Sequence, residues 1–139
     1  MTSAALAVGD RPPNLEKTIE LPDMVAYAGA TWDWHRLHYD TDYLATKGLP
    51  APLVDGQVFG AYLAEQVQDW LGPRARLRRL SFRFAQMVFA GETVRVTGAV
   101  TAVEDTPDGT VVTVEQTITV VGEKERVAVK GATAEVVLQ

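Results

Sequence analysis

Cysteine is absent from this chain of 139 residues. Disulfides, thiolate zinc sites and cysteine nucleophiles are excluded together. Histidine is scarce: only His35 and His38 occur, so any imidazole chemistry belongs to one short run. Serine occurs only as Ser3 and Ser81. Neither stands in a Gly-x-Ser-x-Gly elbow, and no Gly-x-Gly-x-x-Gly or P-loop pattern is present. Positive charge is in deficit, with a formal net charge of -5, which argues against a nucleic-acid partner. No apolar run approaches the length that spans a bilayer. Met1 to Gly9 carries no basic residue and only a short apolar stretch, unlike a signal peptide. The expected location is the cytoplasm, with no membrane partner.

What is present reads as one domain over residues 1–139, long enough to bury a core without staples. Hydrophobic content of 47% and charged content of 22% are ordinary for a globular chain,. An irregular lead-in ends in Arg11-Pro12-Pro13, and Leu15 to Glu20 reads as a short strand. Pro22 and Asp23 open a helix that runs to about Thr31. Asp40 or Thr41 caps a short helix that stops near Gly48. From Gly56 to Leu71, Phe59, Leu63, Val67 and Trp70 recur at helical spacing, and Gly72-Pro73 ends that helix.

Beyond Arg76 the period changes to two. Leu80, Phe82 and Phe84 form one alternating set. Val94, Val96, Gly98 and Val100 form a second, and Val112, Val114, Ile118 and Val120 a third. A last strand spans about Arg126 to Leu138, with Gly131 suggesting a bulge. Asp105 to Gly109 and Gly122-Glu123-Lys124 read as hairpin turns. An antiparallel sheet wrapped around one apolar helix buries both the helix stripe and one sheet face. That is an α+β hot-dog domain.

The chemistry concentrates in Ala30-Thr31-Trp32-Asp33-Trp34-His35-Arg36-Leu37-His38-Tyr39-Asp40. A carboxylate and an imidazole five residues apart share one water if the chain turns between them. One group then takes a proton and the other delivers one. A bland reading makes Asp33 a turn residue and His38 a surface residue. A metal reading uses Asp33, His35, His38, Asp40 and Asp42 as ligands. Their spacing matches no recognised zinc pattern, and no metal is expected.

The run resembles the Asp-x-Asn-Pro-x-His signature of the MaoC-like, (R)-specific enoyl-CoA hydratases. Asp33, Leu37 and His38 fall where the pattern wants them; His35 replaces its Asn and Arg36 its Pro. Arg83-Phe84 with Gly91-Glu92-Thr93 is similar to a further family stretch. The resemblance independently implies the hot-dog fold. It implies that Asp33 and His38 are catalytic and that His35 supports their loop. The Gly56 N–H would polarise the thioester oxygen. Asp55 stands where relatives often carry His; inside the site it would repel an enolate, so it is expected to point away.

Arg74, Arg76, Arg78, Arg79 and Arg83 are the basic concentration. Arg76, Arg78 and Arg83 are candidates for the phosphates of coenzyme A, with a solvated strand face as the bland reading. The substrate would be an acyl-CoA thioester, with no further cofactor. The β-branched stretches Val94-Arg95-Val96 and Val111 to Val114 are expected to be sheet edges open to a second chain. A homodimer is the simplest assembly. A heterodimer is the alternative, because the chain is also similar to the small MaoC-like subunits of actinobacterial steroid side-chain hydratases. Two rival functions stay open. One is a hot-dog thioesterase using Asp55 or Glu65; the other is a subunit active only with a related chain.

Overall fold

A computed structural model describes residues 5–123 and 125–139. The first strand, β1 (Leu15–Thr18), leads into helix α1 (Leu21–Thr31). A 3₁₀ turn (Arg36–His38) and helix α2 (Thr41–Thr46) follow. The long helix α3 (Gln57–Leu71) precedes four strands: β2 (Ala75–Phe84), β3 (Thr93–Thr106), β4 (Gly109–Val121) and β5 (Arg126–Leu138). The strands form one antiparallel sheet in the order β1-β3-β4-β5-β2. Lys124, part of the second expected hairpin turn, lies outside the described residues.

Local chemistry accounts for the boundaries. Pro22 stands in the first turn of α1, where a missing N–H costs nothing, and Glu20 and Asp23 form a reciprocal capping box,. Asp40 caps α2 by accepting from the Tyr43 N–H. Gly131, at φ +63°, lies where β5 carries one residue more than its neighbours: Ala132 opposes Gln116, while Val129 opposes Ile118. That is the expected bulge.

Phe59, Leu63, Val67 and Leu71 place one stripe of α3 on the sheet, and all four are buried. From β4, Val112, Val114, Ile118 and Val120 meet that stripe. A buried amide pair crosses the same layer. The Gln116 amide donates to the Leu63 carbonyl (3.0 Å) and to Gln66 Oε1 (2.9 Å). Gln66 in turn donates to the carbonyls of Pro13 (2.9 Å) and Val96 (3.0 Å). Helix, lead-in and two strands are thereby tied at one point. Gly98 permits the approach, since a Cβ there would lie 3.2 Å from Gln66 Oε1, Pro12 and Val114.

Strand order corrects one expectation. Val111 to Val114 lies on β4, the middle strand, and Val94 to Val96 pairs with β1 on one side and β4 on the other. Neither is an edge. Among the described residues, the long unpaired edge belongs to β2, which meets β5 alone. Among the described residues, no helix is long and apolar enough to cross a membrane.

Candidate active site

The site begins where α1 ends. Trp32 takes a left-handed conformation (φ 59°), with its N–H on the Ala28 carbonyl. The Asp33 N–H donates to the same carbonyl at 3.1 Å. The chain reverses, and the Asp33 side chain accepts from the His35 N–H (3.4 Å) while His35 Nδ1 accepts from the Leu37 N–H (3.1 Å). His35 therefore secures the turn between Asp33 and His38 rather than reaching the reacting groups.

Leu53 fixes the histidine. Its N–H donates to the Leu37 carbonyl (2.9 Å), and its carbonyl receives His38 Nδ1 at 2.7 Å. A carbonyl only accepts, so Nδ1 carries the hydrogen and Nε2 presents its lone pair in the neutral ring. Leu53 is itself held from the far side by a bridge to Phe89, with Val54 N–H on the Val88 carbonyl at 2.8 Å. The segment that supplies those contacts is anchored by Arg126, which bonds the Met87 carbonyl and the Glu92 carboxylate. Burial alone would raise the Glu92 carboxyl, but the Arg126 and Phe89 N–H bonds outweigh it and hold it below its ordinary value.

His38 Nε2 lies 3.8 Å from Asp33 Oδ2. Both expected reacting groups thus come together, with an imidazole side chain only 12% exposed against 35% for Asp33. A third group joins them. Asp55 Oδ2 lies 3.9 Å from the same Nε2, on a side chain 13% exposed. The expectation that Asp55 points away is wrong. One of its oxygens caps α3 by accepting from the Gln57 N–H (3.0 Å), which turns the other inward.

His38 and Asp55 line a cavity with Ile19, Met24, Tyr27 and Val58. The space in it open to a water-sized sphere is about 20 Å³, room for on the order of one water molecule. Asp33 approaches from the solvent side. Gly56 lies elsewhere: it lines a second cavity of about 250 Å³ with Leu53, Phe59, Phe84 and Met87. The Phe84 ring covers it so closely that a Cβ at Gly56 would stand 2.5 Å from the ring. Asp55 and Gly56, adjacent in sequence, thus face two neighbouring cavities.

The charges separate accordingly. Burial pushes the Asp55 carboxyl above the usual aspartate value; the Gln57 N–H and His38 oppose that rise, and Asp33 adds to it. Asp33 is held below its usual value, first by the neighbouring Asp55 carboxyl and then by the His35 N–H and the two imidazoles. The five-residue ligand cluster weighed from the sequence does not assemble. Asp40 is taken by the α2 cap and by Arg36 at 2.8 Å, Asp42 is exposed, and His35 is spent on the turn. Asp33, His38 and Asp55 do bring one ligand-type atom each within 4.8 Å of one another. Burial raises the Asp55 carboxyl toward its neutral form, which favours a hydrogen-bond donor over a cation ligand and an acid–base group over a metal site,.

The arginines do not gather at this site. Arg83 precedes Phe84, whose ring covers Gly56. Arg76 lies seven residues before Arg83 along β2, roughly 23 Å at the rise of a strand. Arg78 is engaged with Glu135 at 3.2 Å. Glu65, the other carboxylate considered for a thioesterase, is paired with Lys17 at 3.0 Å.

A curled five-stranded antiparallel sheet against one long helix, with an Asp–His pair beside the helix start, is the hot-dog architecture. Residues 5–128 match the MaoC like domain, and the chain belongs to this dehydratase family. The 3-oxo-4,17-pregnadiene-20-carboxyl-CoA hydratase beta subunit of Mycobacterium tuberculosis is 31% identical over 98 residues, 70% of this chain and 76% of that one. The peroxisomal multifunctional enzyme type 2 of Mus musculus is 29% identical over 96 residues, 66% of this chain but only 13% of that much longer protein. Among solved structures, an (R)-hydratase from A. caviae involved in PHA biosynthesis superposes with a TM-score of 0.86 at 26% identity. The match covers 99% of this chain and 100% of that one.

Proposed function

We propose that the protein adds water to a trans-2-enoyl thioester of coenzyme A to give the (R)-3-hydroxyacyl thioester, and catalyses the reverse dehydration. The observation that carries this reading is the aim of His38 Nε2 at Asp33 Oδ2, with the ring fixed through Nδ1 on the Leu53 carbonyl. Asp33 and the Nε2 lone pair that His38 presents with its hydrogen on Nδ1 are both acceptors, which is what a water needs before it loses a proton,. Asp33 orients and activates that water. The hydroxyl joins carbon 3, the double bond is consumed, and His38 carries the released proton to carbon 2. The Gly56 N–H has no acceptor among the described residues, and we assign it to the thioester oxygen, where negative charge develops. Phe84 swings aside to admit the ligand, because its ring is exposed and the contact lies at the end of a flexible side chain. Arg83 would reach a coenzyme A phosphate more readily than Arg76 or Arg78. No metal or redox group takes part, and the cytoplasm is the proposed location.

The reading also includes a second chain. The free edge of β2 suits continuation of the sheet across a twofold axis, in a homodimer or with a related subunit. The naming of one relative as a beta subunit supports the latter. Light scattering should give at least a dimer, and a fully active monomer would overturn both versions.

Absorbance at the enoyl-thioester band tests the activity, using crotonyl-, dodecenoyl- and steroid-enoyl-CoA with the chain alone and with any related subunit. Loss of the band without release of free thiol is expected. Thiol release would instead support the thioesterase reading, which the inward oxygen of Asp55 keeps physically reasonable.

A further inference from the structure

Asp33 and Asp55 bring two carboxylates to one imidazole nitrogen, at 3.8 and 3.9 Å. Oδ2 of Asp55 is buried and has no hydrogen-bond partner when both groups are treated as acceptors. A second ionised carboxylate there would be an acceptor facing an acceptor, in a site that excludes most water. Such pairs hold one proton between them. Once that proton is placed on Asp55, the orphaned oxygen becomes a donor within 4.8 Å of an Asp33 oxygen.

We infer that Asp55 is a positioning residue of this site: it carries the proton of the pair and donates it through Oδ2 to Asp33, which then faces the water as the ionised base. The inference rests on the hydratase reading for its consequence in turnover, but not for the location of the proton. Two features choose Asp55 over Asp33 as the carrier. Its side chain is 13% exposed against 35%. Burial is the largest influence on its carboxyl and raises it. The surroundings reinforce the choice. The turn contributes His38 to the cavity and Asp33 beside it, α1 contributes Asp23 and Tyr27, and α3 contributes Tyr62; among the described residues no lysine or arginine lines the cavity. Asp23 adds further negative charge. The Tyr27 hydroxyl is itself raised, by burial first and then by Asp55 and Asp33, and stays neutral.

A neutral Asp55 also removes the objection that a carboxylate here would repel an enolate. It explains how this chain carries an aspartate beside the reacting centre. The oxygen that accepts from Gln57 keeps the carboxyl oriented, and the remaining oxygen faces both Asp33 and His38 Nε2, of which the ionised carboxylate is the stronger acceptor,.

The test compares Asp55→Asn with Asp55→Ala. Asn keeps an acceptor for the Gln57 N–H and offers a permanently neutral donor to Asp33; Ala offers neither. Asp55→Ala should lower kcat by about 10- to 100-fold, the worth of a hydrogen bond to a charged group. Asp55→Asn should restore most of that loss. Carbon-13 NMR titration of the aspartate carboxyls, on folded protein without substrate, gives a second and independent readout. Asp55 should ionise at higher pH than Asp33. The Asp33 titration should move upward in Asp55→Ala and stay low in Asp55→Asn. The inference is overturned if Asp55 ionises before Asp33, or if Asn is as damaging as Ala. Because the titration needs no turnover, it decides the proton's location even if the hydratase assay fails.

Discussion

Asp33→Asn and His38→Ala should each lower enoyl-thioester hydration by roughly 10²- to 10⁴-fold, the usual worth of a positioned proton transfer. Asn at 33 keeps the shape of the side chain and removes the base. Ala at 38 removes the imidazole whose Nε2 faces Asp33 at 3.8 Å. The two groups act on one water, so the losses should not multiply. The double variant should be little worse than either single one. Thermal melts must accompany the rates, because His38 also bonds the Leu53 carbonyl, and a folding defect would imitate a catalytic one. Near-native turnover in both single variants, with a good substrate, would end the assignment.

Much of the fold is legible because two periods are legible. Phe59, Leu63 and Val67 repeat at helical spacing and are buried, but the stripe ends on Leu71 rather than on the expected Trp70, which is only partly buried. The alternation of Val112, Val114, Ile118 and Val120 marks the inner face of β4. Even Gln116 obeys that parity, falling between Val114 and Ile118 and lying 2% exposed. Its burial is signalled by its place in the alternation and disguised only by its polarity. Strand order is a different matter. Richness in Val and Thr marks a residue as fit for a pleated surface, whether that surface is central or marginal. It cannot tell β4 from an edge. The strand with the long free edge is instead the arginine-rich one: Arg76, Arg78, Arg79 and Arg83 all lie on β2.

The site divides along the same line. Asp33 and His38 meet through a local turn, so their spacing in sequence carries the information. Asp55 arrives through distant contacts. Its helix-start position is readable, and one oxygen does cap Gln57. The direction of the other depends on Leu53 and Val54 being held by Val88 and Phe89, more than thirty residues away. No short pattern reports that. The separation of Gly56 from the Asp33–His38 cavity has the same origin, since Phe84 comes from the end of β2 to cover it.

Leu63→Ala should cost about 3–5 kcal/mol of folding stability, the range for a leucine removed from a core that cannot collapse. Leu63 is wholly buried in the middle of α3. Its neighbours are held by the sheet and by the Gln66–Gln116 amide pair. Gln116 also binds the Leu63 carbonyl, so the backbone is pinned and the helix cannot settle into the space left behind. Against a typical stability of about 5–15 kcal/mol for a domain, the loss is severe. Urea unfolding should show a much lower midpoint at unchanged slope. The reacting groups do not touch Leu63, so the rate per folded molecule, measured well below the lowered midpoint, should stay within a few-fold of the parent. A small shift in midpoint would mean that the helix can move toward the sheet. In that case the start of α3 would not be the fixed platform on which Asp55 and Gly56 depend.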